Sequence, residues 1–187
     1  MILVYILLGT IAVLLIWGVG LYNSFVRLHN RVKEGWSDID VQLKRRHDLI
    51  PNLISSVKGY MKHESGLLET VTKYRAQAID AQKSGNTQAL SGAENMLGNA
   101  LGKLQIAVEA YPDLKANTNV MQLMDELSDT ENKIQAARRF YNSQVRDFNT
   151  KLEMFPNTLF VKMFGFAKFN FFEIEDAKER ENVEVKL

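Results

Sequence analysis

The sequence predicts an all-α protein in which an N-terminal transmembrane helix continues into an antiparallel, up-down four-helix bundle with long helices. Three observations predict this class. The chain begins with a long uncharged apolar run, the remainder repeats apolar residues at intervals of three and four, and no alternating pattern is long enough to build a sheet. A length of 187 residues suffices for one domain and an appendage.

The first element is the apolar run from Ile2 to Tyr22, which contains 21 residues, and the first charged side chain after it is Arg27. At about 1.5 Å per residue this run covers roughly 30 Å, the thickness of a bilayer core. Trp17 and Tyr22 suit the headgroup level. A cleaved signal peptide is disfavoured because the chain has neither a basic n-region nor a small-x-small cleavage site. We therefore predict an uncleaved anchor over residues 1–22, with the bilayer contacted by residues 2–22.

The charges that follow the span predict its orientation. Arg27, Arg31 and Lys33 lie just after it, whereas only the α-amino group precedes it. The positive-inside rule places the remainder of a single-pass protein in the cytoplasm. A periplasmic or extracellular location is the alternative and requires that the whole domain be translocated. These three bases, with Trp17 and Tyr22, are the predicted membrane-interface residues.

Four helical patterns follow in the predicted bundle domain, residues 23–155. The first carries apolar residues from Phe25 to Leu43 and continues from the span without a helix breaker, which predicts one rod. The second runs from Leu53 to Ala78 and stops at "KSGN", residues 83–86. The third runs from Leu90 to Tyr111 and ends before Pro112.

The fourth pattern has an apolar residue at every seventh position and is closed by Pro156. Such a repeat favours helices packed at a shallow angle. Connections of about 4 to 8 residues favour antiparallel neighbours. The repeated positions are Val120, Leu127, Ile134, Tyr141, Phe148 and Phe155.

The segment "KRRHDLIPNL" contains the densest charged cluster, Lys44, Arg45, Arg46, His47 and Asp48. Arg46 stands one heptad after an apolar residue, so we predict that the first bundle helix ends here and that the acid caps the next helix. The cluster lies about 33 Å beyond the span if the helix is continuous, and lipid attraction fades within roughly 10 Å. The two open interpretations are a helix corner and a partner-binding corner.

The segment 156–172 follows the bundle and is rich in phenylalanine. Residues 155–172 hold seven of the ten phenylalanines in the chain. One interpretation is a cap folded over the open end of the bundle, and the other is an exposed apolar surface for a second copy or for membrane. The residues considered for self-association are Phe160, Phe164, Phe166, Phe169, Phe171 and Phe172. Residues 173–187 form a charged tail that we expect to be flexible.

Composition and motifs disfavour several functions. Lys and Arg total 23 against 22 Asp and Glu, so no excess charge indicates nucleic-acid binding. No phosphate-binding loop, nucleophile elbow or zinc-binding helix motif is present. His29 is expected to pack on the apolar face, and His47 and His63 lack the spacing of a metal site. We expect no catalytic, cofactor-binding or metal-ligating residues and no small-molecule substrate.

Several blocks together resemble the LemA family of bacterial membrane proteins, including "YNSFVRLHNRV", "GWSDIDVQLKRRHDLIPNL", "EAYPDLKAN" and "TENKIQAARRFYNSQVRDFN". The similarity runs from about Tyr22 to Phe172. It implies an N-terminal anchor in the bacterial inner membrane and an all-helical bundle, and it implies no established enzyme activity. One member is a magnetosome protein tied to membrane formation, which implies a scaffolding or membrane-organising role.

The expected function is therefore a membrane-anchored helical scaffold or membrane-organising protein that self-associates, without catalysis. Other membrane-associated proteins are possible partners. The alternative is a membrane-tethered adaptor or sensor domain that docks a soluble protein partner.

Overall fold

The computed structural model describes residues 1–173, apart from the side chains of Phe160, Lys162 and Met163. Over this range all regular secondary structure is helical, which confirms the all-α class. The predicted charged tail lies outside the described residues except for Glu173. The helices are α1 Ile2–Val57, α2 Ser65–Ser84, α3 Thr87–Glu109, α4 Pro112–Lys115, α5 Thr118–Glu153 and α6 Thr158–Phe164.

Helix α1 contains 56 residues and begins with the apolar run. Within the described part of the chain, α1 is the one helix that is long and apolar enough to cross a membrane. The side chains of its most apolar part are not buried. The helix passes from the apolar run into the charged region without interruption. This continuity confirms the prediction of a single rod. The first glycine or proline after Tyr22 is Gly35, which the helix tolerates.

The predicted helix end at "KRRHDLIPNL" is wrong, because α1 continues through this segment to Val57. Pro51 has no N–H group and therefore leaves the carbonyl of His47 without its helical hydrogen bond. Nε of Arg75 on α2 donates to that carbonyl at 2.6 Å, which replaces the missing bond. The break between the first two helices instead lies at residues 58–64.

The other predicted helix boundaries are confirmed. Gly85 ends α2 in the left-handed conformation with φ 69°, which glycine adopts without steric cost. The side chain of Asn86 then accepts hydrogen bonds from the backbone N–H groups of Gln88 and Ala89 and caps α3. Helix α3 ends before Pro112, and α5 ends before Pro156.

The helices form two compact units, each with its own core. The first unit contains Met1–Ile39 and Ala137–Phe171, and the second contains Asp40–Ala136 with Phe172 and Glu173. Fully buried side chains of the first unit include Phe25, Val145 and Phe148. In the second unit the largest apolar cluster includes Ile50, Leu53, Val57, Val71, Leu97, Leu104, Val120 and Leu127.

Gly35 of α1 lies close to the backbone of α5 in the first unit. A Cβ atom at this position would lie 3.1 Å from Cα of Tyr141 and 3.2 Å from the ring of Phe140. The absence of a side chain therefore permits the two helices to approach each other closely. The neighbouring Trp36 ring packs on Tyr141 with the ring centroids 5.4 Å apart.

Candidate functional site

The second unit contains an ionic cluster, defined here as Arg46, His47, Glu94 and Glu131. Helix α1 provides the two bases, α3 provides Glu94 and α5 provides Glu131. Arg46, His47 and Glu94 are at most 3% exposed, whereas the Glu131 side chain is 38% exposed. Buried charges are rare unless they are paired, so this cluster is the first candidate for a site.

The two carboxyl groups divide the hydrogen bonds of the bases between them. Nη2 of Arg46 donates to Glu94, and Nη1 donates to Glu131. The second oxygen of Glu94 lies 2.7 Å from Nε2 of His47. Because an ionised carboxylate only accepts hydrogen bonds, Nε2 of His47 carries a proton in this contact. With the bond from Arg75 to the His47 carbonyl, the cluster connects α1, α2, α3 and α5.

The pairing keeps Glu94 ionised although it is buried. Burial acts to raise the pKa of Glu94, but the hydrogen bond from His47 and the charge of Arg46 together outweigh it. The resulting pKa lies below the ordinary value of 4.5. Glu94 is therefore a permanent anion at neutral pH and not a poised general acid.

The cluster is arranged as a connection between helices. Both oxygens of Glu94 accept hydrogen bonds from α1, and the guanidinium of Arg46 is divided between two carboxylates. Within the described residues, no group of three or more His, Asp or Glu side chains is placed to hold a metal ion.

The predicted partner-binding corner divides into buried and exposed residues. Arg46 and His47 point into the second unit and are not accessible to a partner, which corrects their assignment. The physical reason is that carboxylates on α3 and α5 neutralise them inside the unit. Lys44, Arg45 and Asp48 are exposed, and Arg45 makes only a 3.8 Å ion pair with Glu126. A partner-binding role for these three residues stays a prediction.

The sequence reasoning missed both carboxylates of the cluster. The signal for Glu94 was present, because this residue stands on the apolar face of α3 between Leu90 and Leu97. A charged residue on a buried face requires a buried partner of opposite charge. Arg46 carries the same signal on α1, although its position in the heptad also fits a helix end.

The first unit contains an aromatic cluster, defined here as Phe25, His29, Phe148, Phe166 and Phe169. The His29 ring lies 5.8 Å from Phe148 and 5.1 Å from Phe169, between centroids. Phe166 lies 5.4 Å from Phe25. Burial of the imidazole, and secondarily the charge of Lys33, lower the pKa of His29 below 6.5. The expected packing of His29 on the apolar face is thus made largely by phenylalanines of the C-terminal segment.

Most phenylalanines considered for self-association are used inside the fold. Phe166 and Phe169 belong to the aromatic cluster, Phe164 lies 5.4 Å from the Tyr22 ring, and Phe172 is fully buried. These rings therefore make contacts within the chain, and a role for them in self-association stays a prediction. Phe171 is 42% exposed. The side chain of Phe160 lies outside the described residues.

Two side chains of α5 hold the C-terminal segment on the first unit. The Asn149 amide donates to the carbonyl of Phe169 at 2.9 Å and accepts from its N–H at 3.0 Å. The Tyr141 hydroxyl donates to the carbonyl of Asn170 at 2.9 Å. These bonds satisfy backbone groups of a segment that is not helical, which was not foreseen from the sequence.

The family profile that matches the sequence is that of the LemA family, and it covers residues 35–187. The chain belongs to the LemA family. Protein LemA of Metamycoplasma hominis is 32% identical over 139 residues, which is 73% of this chain and 62% of that protein. Magnetosome protein MamQ of Magnetospirillum gryphiswaldense is 25% identical over 179 residues, covering 83% of this chain and 66% of that protein. Magnetosome protein MamQ 1 of Paramagnetospirillum magneticum is 24% identical over the same length.

The chain thus spans slightly less than two thirds of the length of these curated relatives. The LemA profile begins at Gly35 and includes the ionic cluster, whereas the apolar run and Arg27 precede the matched residues. The predicted membrane-interface residues Trp17, Tyr22, Arg27, Arg31 and Lys33 all lie on α1 and are exposed. Their contact with lipid stays a prediction.

Proposed function

We propose that this LemA-family chain is a membrane-anchored helical scaffold that organises membrane or membrane proteins, self-associates and performs no catalysis. The observation that carries this proposal is that α1 is a single unbroken helix. Its first part exposes apolar side chains, and its later part carries buried side chains of both units. A continuous helix transmits the orientation of the anchor to the folded units, as a scaffold requires, whereas a tethered enzyme needs only a flexible linker.

The ionic cluster supports a structural role. Its buried charges are satisfied by each other, and the four long helices of the second unit meet at it. We propose that α1, α2, α3 and α5 form the antiparallel four-helix arrangement there, because short connections join them. Pairs of engineered cysteines on adjacent helices, cross-linked by oxidation, test this order.

The surface proposed for self-association lies on α3 in the second unit. Met96 and Ile106 are 51% and 71% exposed, and a Cβ at Gly98 or Gly102 would meet nothing within 4 Å. Exposed apolar side chains beside glycines allow another helix to approach closely. A second copy of the chain is the proposed occupant, since a scaffold must connect identical anchors.

Mass measurement of the full chain in mild detergent tests this assembly. We expect an oligomer that becomes monomeric when Met96 and Ile106 are replaced by Glu. Lys73→Glu, a charge change at an exposed position on α2, serves as the control and should leave the mass unchanged. A monomer over a wide concentration range would contradict the scaffold proposal.

For location, we propose the bacterial inner membrane with the folded units in the cytoplasm, based on Arg27, Arg31 and Lys33. The chain has no cysteine, so the substitution Glu181→Cys provides a unique label. We expect labelling by an impermeant reagent only after the cells are permeabilised. Labelling of intact cells would instead indicate the periplasmic or extracellular side.

The adaptor function is the second candidate, because Val41 is 59% exposed beside the exposed Lys44 and Arg45. An apolar side chain flanked by bases fits a soluble partner with an acidic rim. Capture experiments with Lys44→Glu and Arg45→Glu should abolish such binding, with Lys58→Glu as the control. Arg46 must not be changed for this purpose, because its loss would disturb the fold.

A further inference from the structure

The corner between α5 and α6 exposes three large apolar side chains. Met154, Phe155 and Leu159 are 55%, 80% and 67% exposed. The amide of Asn157 donates to the carbonyl of Lys151 at 3.0 Å, so this turn has a defined conformation. We call these three residues the apolar corner. Large exposed apolar side chains that stand together mark a surface for another protein or for lipid.

Contacts within the first unit hold the apolar corner at the level where α1 leaves its apolar run. Lys151, three residues before Met154, donates to the hydroxyl of Ser24. Phe164, at the end of α6, packs on Tyr22 with the ring centroids 5.4 Å apart. Both contacts lie within two residues of the end of the run at Tyr22. The chain on either side of the corner is therefore fixed beside the predicted headgroup level.

Residues of α1 that precede Tyr22 are partly buried, so part of the first unit lies deeper in the predicted bilayer than Tyr22 does. The side chains from Met1 to Trp17 are all exposed, and partial burial begins at Gly18 and Leu21. Gly18 precedes Tyr22 by one helical turn, which is about 6 Å along the axis. Interfacial elements bury their apolar side chains by a similar depth of about 5–10 Å.

Positive charge without an acidic partner accompanies the apolar corner. Within the described residues, neither Arg27 nor Lys151 pairs with a carboxylate, and Glu153 is already bound by Lys168. Burial and, secondarily, the charge of Arg27 lower the pKa of Lys151, so the two cations repel each other. Phosphate groups at a bilayer surface would relieve this repulsion.

We propose that the apolar corner is a second membrane contact, in which Met154, Phe155 and Leu159 insert into the leaflet from which α1 emerges while Arg27 and Lys151 bind anionic lipid phosphates. The occupant is the bilayer and not a second copy, because the corner is fixed beside the apolar run of α1. Shallow insertion next to the anchor enlarges the headgroup region of one leaflet. This inference rests on the proposed membrane span and adds a means of shaping the bilayer.

Depth measurement on the full chain in vesicles of phosphatidylcholine and phosphatidylglycerol tests the proposal. Single cysteines replace Phe155, Leu159, Val41 or Val13 and carry a nitroxide label, since the natural chain has none. Circular dichroism verifies that each variant is folded. At Phe155 and Leu159 we expect strong relaxation by oxygen, which dissolves in lipid, and several-fold weaker relaxation by an aqueous nickel chelate than at Val41.

The two control positions separate this inference from the proposed function. Val41 is an exposed apolar residue of the second unit outside the proposed self-association surface, and Val13 reports the span itself. Water-accessible labels at Phe155 and Leu159 would overturn the inference. Labels shielded from both relaxing agents would also overturn it, because they indicate a protein contact. A water-accessible label at Val13 would overturn the membrane span, whatever the corner shows.

Charge variants test the headgroup part of the proposal. With the label at Phe155, Arg27→Gln should raise relaxation by the nickel chelate several-fold in these vesicles. Lys44→Gln serves as the control, because this exposed residue lies about 33 Å beyond Tyr22 along the helix, farther than a Debye length of roughly 10 Å. Equal effects of the two variants, or no effect of Arg27→Gln, would remove lipid phosphate binding from the proposal.

Discussion

In the first unit, Phe25 of α1 packs on Phe148 of α5, whereas in the second unit Arg46 of the same α1 binds Glu131 of the same α5. Each unit thus joins these helices by different means. The aromatic cluster excludes water around apolar rings and one imidazole. The ionic cluster buries charges and compensates them within a few ångströms.

The two clusters respond differently to change. Aromatic rings contribute in proportion to the apolar area they bury, and a similar ring or aliphatic group can replace one at moderate cost. A buried ion pair adds little net stability compared with an apolar pair, but removal of one partner leaves an uncompensated charge. We therefore expect the ionic cluster to specify which helices pack together and the aromatic cluster to tolerate similar apolar substitutions better.

The largest expected effect comes from Arg46→Met. This change leaves Glu94 buried with His47 as its remaining partner, and it should lower the free energy of unfolding by about 3–5 kcal/mol. Denaturant titration of the full chain in detergent, followed by circular dichroism, measures the loss.

Two further variants show whether the charge or the packing is responsible. Arg45→Met removes an exposed cation from the adjacent position and should change stability little. The double variant Arg46→Met with Glu94→Gln removes both buried charges and keeps an acceptor for His47. It should be more stable than Arg46→Met alone. If adding Glu94→Gln to Arg46→Met restores no stability, the cluster does not act through charge compensation.

The next effect concerns the close approach of α1 and α5 in the first unit. Gly35→Ala places a Cβ atom 3.1 Å from the Tyr141 backbone, which cannot rotate away. Overpacking of this kind should destabilise the chain by about 1–3 kcal/mol, measured by the same titration.

Gly92→Ala is the matched control, because this exposed residue of α3 is not one of the glycines proposed for self-association and a Cβ there meets nothing within 4 Å. An alanine in an exposed helix interior should raise stability by about 0.5–1 kcal/mol. Opposite signs for the two substitutions support close packing at Gly35. A gain in stability at both positions would contradict it.

The sequence predicts those features of the fold that depend on neighbouring residues better than those that depend on residues far apart in the chain. Apolar periodicity marked α3, α5 and the rod-like α1, because burial of apolar side chains imposes the helical repeat on the sequence. Local signals also marked Gly85, Asn86 and the prolines that follow the ends of α3 and α5.

The extension of α1 through Pro51 could not be foreseen locally. Proline normally breaks a helix, and here a side chain distant in sequence, Arg75, compensates the lost bond. The partners of Arg46 lie 48 and 85 residues away in the sequence. No local pattern gives the distance between such residues, so the charged segment alone resembles a corner. The sequence feature that did indicate a buried charge pair was Glu94, which stands on the apolar face of α3.

A smaller effect is expected when the C-terminal segment is released from the first unit. Asn149→Ala removes two hydrogen bonds to the Phe169 backbone and should cost about 1–2 kcal/mol. The segment should then become accessible to limited proteolysis. Asn132→Ala, an exposed position on the same helix, is the control for helix propensity. Unchanged protection of the segment in Asn149→Ala would indicate that the phenylalanine contacts alone hold it.

The smallest expected effect is a pH dependence that distinguishes the two clusters. Burial lowers the pKa of His29, so the folded state favours the neutral imidazole. The contribution of the neutral His29 imidazole to the free energy of unfolding is fully present above the ordinary pKa of 6.5. It is lost as pH falls below that value. Thermal midpoints of the full chain should therefore decrease slightly below about pH 6.5. In His29→Phe this decrease should disappear, whereas in His63→Gln, an exposed control, it should persist.

Glu94 of the ionic cluster should respond at lower pH than His29. The pKa of Glu94 is lowered as well, but a carboxylate loses its contribution as pH falls below 4.5. Both the natural chain and His29→Phe should therefore lose stability in that range, since Glu94 is unchanged in both. If His29→Phe shows the same decrease near pH 6 as the natural chain, the imidazole in the aromatic cluster is not its origin. The decrease near pH 6 would then come from other titratable groups of the chain, and the aromatic cluster would act through apolar burial alone.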